Sequence, residues 1–153
     1  MRVAVAGDHA GYLLKQEIVA YLRDAGHQVL DLGAFSAARS DYPDFARAIG
    51  LALQRGEAER GVLICGSGVG ASVAANKMRG VRAAICHDYY SAHQGVEHDD
   101  MNVLCLGALV IGAATARSLV DAFLGARFIG KGRYQERLNK VLDMEAAMCD
   151  DRE

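Results

Sequence analysis

Short runs of apolar residues alternate along this chain with longer amphipathic segments. The runs are apolar at successive positions, which is typical of strands buried on both faces of a parallel sheet, and they lie at residues 2–6, 27–32, 61–65, 82–86 and 103–106. The segments with helical spacing lie at residues 12–22, 44–55, 71–78, 89–98, 113–124 and 134–148. Strand–helix alternation implies right-handed crossovers between parallel strands. It predicts an α/β protein, a three-layer α/β/α sandwich around a Rossmann-like, doubly wound sheet of five parallel strands.

The composition indicates a single globular domain over residues 1–153. Hydrophobic residues make up 52% of the chain and charged residues 24%, and the 17 glycines with one proline fit tight turns rather than a linker. The net charge of −2 argues against nucleic-acid or anionic-membrane binding through bulk charge. No apolar stretch reaches the roughly 20 residues of a spanning helix, no signal peptide is recognised, and the four cysteines form no C-x-x-C pair. We therefore expect a reduced, cytoplasmic protein.

The residues that follow the apolar runs are the expected place for function, because ligands of doubly wound sheets bind at the carboxyl ends of the strands. The third run ends in Cys65 and is followed by the glycine-rich turn 66–70, which reads GSGVG. Its glycines let backbone amides approach a ligand, and the start of the next helix favours an anion. A thiol there ionises more readily, so Cys65 is a candidate base or nucleophile. Cys86 and Cys105 lie inside apolar runs and are expected to be packing residues.

A nucleotide site is the alternative interpretation of the same turn. Gly66, Gly68 and Ala71 fit the G-x-G-x-x-G/A dinucleotide pattern, and Asp88 follows the next run at the place of a ribose-binding acid. This pattern usually opens the first strand–helix unit, however, whereas here it follows the third run. No Walker lysine pattern is present either. A nucleotide-binding module is therefore the second hypothesis, from a different functional class.

Histidines and arginines supply further polar candidates. His9 follows Asp8 directly after the first run, His98 precedes the last run, and histidine can transfer protons near neutral pH. The five histidines show no i, i+4 pair and no Cys–His ligand spacing, so no metal is expected. Arg133 and Arg137 are i, i+4 near the predicted start of the last helix, where the helix dipole disfavours cations. A bound anion would resolve that conflict.

Six segments form a series that runs over nearly the whole chain. They are GDHAG at 7–11, SDYP at 40–43, ICGSGVG at 64–70, AANK at 74–77, HDDMNVL at 98–104, and Gly132-Arg133 with Arg137. In this order they resemble the type B ribose-5-phosphate isomerases, which are grouped with galactose-6-phosphate isomerases. The resemblance implies an aldose–ketose isomerase that interconverts D-ribose 5-phosphate and D-ribulose 5-phosphate through an enediolate, without a metal or an organic cofactor.

The resemblance also implies a role for each matching residue. Cys65 would be the catalytic base that moves a proton between C1 and C2, His98 would open the sugar ring with Asp8 as a candidate partner, and Ser67 would assist. The residues expected to bind the substrate are Asp8, His9, Tyr42, Gly66, Ser67, Gly68, Val69, Gly70, Asp99, Arg133 and Arg137. Among them, His9 and the two arginines would hold the phosphate. The family also implies a homodimer or homotetramer with sites shared between subunits, and a C-terminal helix, about residues 133–148, at the subunit interface.

One position departs from the family pattern. Many members carry an arginine shortly after the Leu-Gly of the last run, where this chain has Leu109. A missing phosphate contact there would change the preferred length of the substrate or its affinity. Isomerisation of a six-carbon aldose phosphate, allose- or galactose-6-phosphate, therefore stays open beside ribose 5-phosphate.

Overall fold

Five strands form one sheet in which every neighbouring pair is parallel. The structure is a computed structural model that describes the backbone of residues 1–150 and the side chains of residues 1–148. The strands are β1 (Arg2–Gly7), β2 (Gln28–Asp31), β3 (Arg60–Cys65), β4 (Ala83–Ile85) and β5 (Val103–Gly107). Their order, β2-β1-β3-β5-β4, confirms the predicted doubly wound sheet. Residues 151–153 of the predicted domain lie outside the described residues.

Residues 1–150 form six helices, of which the first five cover the two faces of the sheet and the sixth packs on the fourth. They are α1 (Tyr12–Asp24), α2 (Tyr42–Gln54), α3 (Val69–Ala75), α4 (Tyr89–Asp99), α5 (Ala113–Gly125) and α6 (Gly132–Asp150). Helices α1, α4 and α5 pack on one face, against side chains such as Ile64 and Leu106, and α2 and α3 pack on the other, against Leu63 and Cys105. This arrangement confirms the three-layer α/β/α sandwich. Within the same residues, every helix is too short or too polar to cross a lipid bilayer.

The ends of the first two helices follow local backbone chemistry. Helix α1 stops where Gly26 adopts a φ of 85° and the His27 N–H donates to the Leu22 carbonyl at 3.0 Å, which satisfies one of the last carbonyls of the helix. Helix α2 begins two residues earlier than the predicted residue 44, at Tyr42. Pro43 is tolerated in the first turn, because the N–H that it lacks has no partner there in any case.

Strand β4 is one residue shorter at each end than the predicted run 82–86, and it forms an edge of the sheet. At its start, the Arg82 N–H donates to the Asn102 side chain at 2.8 Å. On its outer side, the Asn76 amide accepts the Ala83 N–H and donates to the Ala83 carbonyl, both at 2.8 Å. Side chains therefore take the place of a further strand, which protects this edge from pairing with another chain.

The carboxyl ends of β1 and β3 form the crevice in which such sheets bind ligands. The two strands are neighbours, with Gly7 opposite Ile64. Helix α1 leaves β1 towards one face and α3 leaves β3 towards the other, so the chain diverges between them. The residues after β1 and the turn 66–70 after β3 meet at this point, as the carboxyl-end rule predicts.

Candidate active site

The thiol of Cys65 lies at the carboxyl end of β3, beneath the turn 66–70. The residue is 4% exposed, and its Sγ accepts a hydrogen bond from the Gly68 N–H at 3.1 Å. Gly68 has a φ of 83°, a left-handed conformation that residues with a side chain adopt only at a cost. This conformation directs the N–H back towards the sulfur. The same backbone donor can hydrogen-bond the thiolate, the form that can accept a proton.

The other two cysteines whose side chains are described lie in the packed interior. Burial, together with the nearby Asp88 carboxylate, raises the pKa of the Cys86 thiol to about 11. Burial raises the pKa of the Cys105 thiol well above its ordinary range. Both therefore remain protonated near neutral pH. Cys149 lies outside the residues whose side chains the structure describes.

The turn 66–70 is fixed to the end of β5 by backbone hydrogen bonds. The Ala108 N–H donates to the Cys65 carbonyl and the Leu109 N–H donates to the Gly66 carbonyl, both at 2.9 Å. The Leu109 side chain is 84% exposed, and its Cδ1 lies 3.4 Å from where a Cβ on Gly66 would be. The position at which the family often has arginine therefore places an apolar side chain beside the turn.

Two further candidates, Ser67 and Tyr42, contact the first turn of α3. The Ser67 hydroxyl accepts the Val69 N–H at 3.2 Å, which keeps its oxygen at the first turn of the helix. The Tyr42 ring covers Gly70 so closely that a Cβ there would lie 2.6 Å from a ring carbon. Tyr42 thus forms a wall of the crevice beside the turn.

Asp8 organises the loop after β1 from a buried position. It is 6% exposed, and its Oδ1 accepts the N–H groups of Ala10 at 3.0 Å and Gly11 at 3.1 Å. The loop presses on the end of β3, because a Cβ on Gly11 would lie 2.2 Å from the Ile64 carbonyl oxygen. The loop after β1 is therefore in direct backbone contact with the end of β3, one residue before the thiol.

His9 is held by the segment that leads into α2. Its N–H donates to the Ser40 hydroxyl at 3.0 Å, and its Nδ1 lies 3.0 Å from the Ser40 carbonyl oxygen and 3.3 Å from the Ser40 nitrogen. Either neutral tautomer of the ring therefore finds a partner on Ser40. This leaves Nε2 as the ring nitrogen available to a ligand.

His98 and Asp99 lie at the amino ends of the strands, opposite the carboxyl ends where the thiol lies. We call these two sides of the sheet the amino edge and the carboxyl edge. Helix α4 leaves the carboxyl end of β4 and returns to the amino end of β5, so its last turn, with these two residues, lies near Val103. Strand β3 has six residues and β5 has five. Because a strand rises about 3.3 Å per residue, the two ends of these strands lie about 15 Å apart. The His98 Nδ1 contacts the Gln94 amide at 2.8 Å. One chain therefore does not bring His98 to Cys65.

Arg133 and Arg137 join His98 in an aromatic and cationic cluster. The Tyr134 ring centroid lies 4.6 Å from that of His98, and the guanidinium carbons lie 5.3 Å (Arg133) and 5.4 Å (Arg137) from the same ring. Both arginines are exposed, and within residues 1–148 neither has a carboxylate within 4.0 Å. The predicted i, i+4 pair thus presents two positive charges on one surface without a counter-charge.

The predicted site residues of one chain therefore form two groups, one at the carboxyl ends of the strands and one at the amino ends. The group at the carboxyl edge comprises Asp8, His9, Tyr42, Cys65, Gly66, Ser67, Gly68, Val69 and Gly70, and the group at the amino edge comprises His98, Asp99, Arg133 and Arg137. A cavity of about 480 Å³ also lies at the amino edge, between β4, α4 and α6. Its lining includes Met101 and Met144, and its Arg82 is paired with Asp100 at 2.7 Å. Asp99 also lines this cavity, whereas Cys65 is not among its lining residues.

Two residues with defined local roles were not predicted from the sequence, and a third has a role other than the one considered for it. His87 accepts the Gly107 N–H at 3.0 Å through Nε2, beside the turn 66–70. Lys15 is fully buried and pairs with Asp31 at 2.7 Å. Asp88, the acid of the nucleotide hypothesis, accepts the Ser91 N–H at 2.7 Å; this bond lowers the pKa of the carboxyl and caps α4. Its carboxylate is therefore engaged within the chain rather than presented to a ribose.

The candidate residues offer a thiol, backbone amides, histidines and arginines. Within the side chains of residues 1–148, no group of three or more His, Cys, Asp or Glu residues is placed to hold a metal ion. The chain combines a doubly wound α/β sheet, a hydrogen-bonded thiol at its ligand crevice and two exposed arginines that face no carboxylate within residues 1–148. These features define a class: α/β enzymes that act on small anionic substrates.

Comparisons with known proteins agree with this class. Residues 3–151 match the family described as Ribose/Galactose Isomerase. The chain is 46% identical to ribose-5-phosphate isomerase B of Escherichia coli over 94% of this chain and 96% of that protein. It is 38% identical to D-erythrulose-4-phosphate isomerase of Pectobacterium atrosepticum over 86% and 88% of the two chains. The structure of ribose-5-phosphate isomerase B of Clostridium thermocellum superposes with a TM-score of 0.94 and 41% identity, covering 97% and 99% of the two chains.

The chain belongs to the ribose/galactose isomerase family. This confirms the resemblance that the six sequence segments indicate, and with it the class of reaction. The protein is an aldose–ketose isomerase.

Proposed function

We propose that this protein interconverts D-ribose 5-phosphate and D-ribulose 5-phosphate, with Cys65 as the base. The observation that carries the proposal is the Gly68 N–H on the Cys65 sulfur, at the ligand crevice of a sheet that belongs to this family. Type B ribose-5-phosphate isomerases are also prominent among its relatives and structural neighbours. The free thiols of Cys65, Cys86 and Cys105 suit the reducing cytoplasm, where we place the protein.

The reaction moves one hydrogen between two carbons without any external redox partner. The thiolate takes the proton from C2 of the open-chain aldose, and the bonding electrons form the enediolate with its charge on O1. The proton then returns to C1, the O2 hydroxyl loses its proton to O1, and C1 is reduced as C2 is oxidised. A positioned base contributes about 10²- to 10⁴-fold in rate, and one well-aimed oxyanion donor about 3 kcal/mol. Amides of the turn 66–70, with the Ser67 hydroxyl, would supply that donor.

A complete site requires two copies of the chain. His98, Asp99 and the arginines are separated from the thiol by the length of the sheet, which a five-carbon sugar phosphate cannot span. In a two-fold dimer, each copy can supply its amino-edge group to the carboxyl-edge group of the other, which forms two identical sites. The exposed side chains of Leu109 and Val69 beside the thiol would be covered by that second copy. We therefore propose a homodimer, alone or within a homotetramer, in which His98 opens the ring, with Asp8 of the other copy as its candidate partner.

The two arginines are proposed to hold the substrate phosphate together with His9. Replacing either Arg133 or Arg137 with alanine should raise KM about 10- to 100-fold, because a charge-assisted hydrogen bond contributes about 1.5–3 kcal/mol. The melting temperature should change little, since both side chains are exposed. Arg117→Ala is the matched control: Arg117 also lies over a tyrosine, 5.5 Å from the Tyr21 ring, but it is on α5 and pairs with Glu17.

The contrary result for the arginines is equally clear. A lower melting temperature with an unchanged KM would assign Arg133 and Arg137 a structural role on α6. Steady-state kinetics and thermal unfolding on the same preparations decide between the two. Lysine substitutions should recover part of the affinity, since they restore the charge without the planar fork that grips a phosphate.

The substrate is tested by incubating the purified protein with ribose 5-phosphate in EDTA, without nucleotide, and measuring the ketose formed. We expect ribose 5-phosphate to give a higher kcat/KM than allose 6-phosphate, galactose 6-phosphate or D-erythrulose 4-phosphate. The four-carbon substrate belongs in the series because a relative is named for it, and since it is itself a ketose, its turnover is measured as the aldose formed. A preference for a six- or four-carbon substrate would overturn the proposed substrate but not the reaction class. Stabilisation by NAD(H) and by no sugar phosphate would instead favour the nucleotide hypothesis.

A further inference from the structure

The end of β5 lacks a strand partner on one side, and a histidine takes its place. Along β5, successive N–H groups point alternately towards β3 and β4. The Ala108 N–H donates to the Cys65 carbonyl, so the Gly107 N–H points to the other side, where β4 has already ended at Ile85. The His87 Nε2 accepts this N–H at 3.0 Å. The imidazole thus replaces the carbonyl that a longer β4 would have supplied.

This contact defines the protonation of His87. A ring nitrogen accepts a hydrogen bond only when it carries no proton, so this contact requires the tautomer with its proton on Nδ1. The neighbouring Asp88 carboxylate is turned to the Ser91 N–H at the start of α4. The imidazole is half-buried, so a lost acceptor here would leave the Gly107 N–H without a replacement partner of the same geometry.

Gly107 is packed tightly against the turn that carries the donor to the thiol. A Cβ on Gly107 would lie 2.6 Å from the Ser67 carbonyl carbon, and a Cβ on Gly68 would lie 3.4 Å from the Gly107 nitrogen. Gly68 in turn donates to the Cys65 sulfur at 3.1 Å. With backbone in contact at each step, a shift of the β5 end has to move the turn as well.

We propose that His87 is a positioning residue for Cys65: by accepting the Gly107 N–H it holds the end of β5, and through it the Gly68 N–H, at the thiol. The inference rests on the proposed role of Cys65 as the base. The proposed role of His87 is indirect, through backbone contacts, and needs no contact with the sulfur or the substrate. His87 keeps the Gly68 N–H at hydrogen-bond distance from the sulfur.

The test compares His87→Phe, which removes the acceptor, with His87→Gln, which can accept through Oε1. The first readout is the rate at which iodoacetamide alkylates Cys65, followed by mass spectrometry of its peptide without substrate. The second is kcat and KM with ribose 5-phosphate. His87→Phe should lower both the alkylation rate and kcat about tenfold with KM nearly unchanged, since small displacements at a reacting group cost that much or more. His87→Gln should recover most of the loss, and His93→Phe, a control on α4 where His93 pairs with Glu97, should resemble the parent protein.

Two results would overturn the proposal. One is an alkylation rate in His87→Phe equal to that of the parent, and the other is an equal loss in His87→Gln and His87→Phe. If His87→Phe does not fold, nitrogen-15 NMR of the unmodified protein decides through the tautomer: a neutral ring protonated on Nδ1 supports the proposal, and one protonated on Nε2 overturns it. The alkylation and tautomer measurements contain no substrate. They therefore remain decisive even if ribose 5-phosphate is not isomerised.

Discussion

Replacing Cys65 with alanine is expected to lower kcat about 10²- to 10⁴-fold while the protein stays folded. In the proposed mechanism the thiolate carries the proton between the two carbons, and alanine has no atom that can replace it. Amides of the turn 66–70 and the phosphate contacts remain in this variant, so substrate binding should persist. KM should therefore change much less than kcat, which separates loss of the base from loss of the site.

The controls address both the thiol and the fold. Cys65→Ser keeps the size of the side chain but offers a hydroxyl that does not ionise near neutral pH, so it should be nearly as inactive as the alanine variant. Cys86→Ala removes a thiol whose pKa is raised to about 11 by burial and should retain activity. Deleting one buried sulfur costs about 1 kcal/mol, a shift of a few degrees in melting temperature. A Cys65→Ala protein that turns over normally would end the proposed mechanism.

The sequence predicts the carboxyl-edge group well because its determinants are local. Apolar runs define the strands, and glycines mark where they end, so the turn after Cys65 and the loop after Gly7 must meet at one edge of a parallel sheet. The close backbone contact of Gly11 with Ile64 shows why that loop needs a residue without a side chain. Here the hydrophobic pattern and the glycines of the turns both place these residues at the carboxyl ends of β1 and β3.

The contacts of His87 and the position of the amino-edge group cannot be predicted from the hydrophobic pattern of the sequence. The role of His87 arises because β4 ends at Ile85, whereas the apolar run extends to residue 86 and predicts a longer strand. A difference of one residue in the length of β4 decides whether the Gly107 N–H donates to a strand carbonyl or to the His87 imidazole. The direction of α4 similarly decides which edge His98 occupies, and the proposal of a second copy rests on that direction.

A mixed dimer of two inactive chains is expected to regain activity. Cys65→Ala and His98→Asn are each inactive alone if one residue is the base and the other opens the ring. In a dimer of one chain of each kind, one shared site contains both substitutions, while the other site combines an intact Cys65 with an intact His98. Isolating mixed dimers through two different affinity tags should therefore yield about half the parent activity per dimer, as two-fold symmetry requires.

The reverse arrangement makes this test decisive. A chain carrying both substitutions, paired with an unsubstituted chain, places one defect in each shared site and should be inactive. If Cys65 and His98 acted within one chain, the unsubstituted partner would keep a complete site and about half the activity, and the first mixture would stay inactive. The two mixtures contain the same substitutions in equal number, so their folding stability is matched. Their activities differ only through which chain supplies His98 to which thiol, and the roughly 15 Å between the two edges of the sheet predicts that it is the other one.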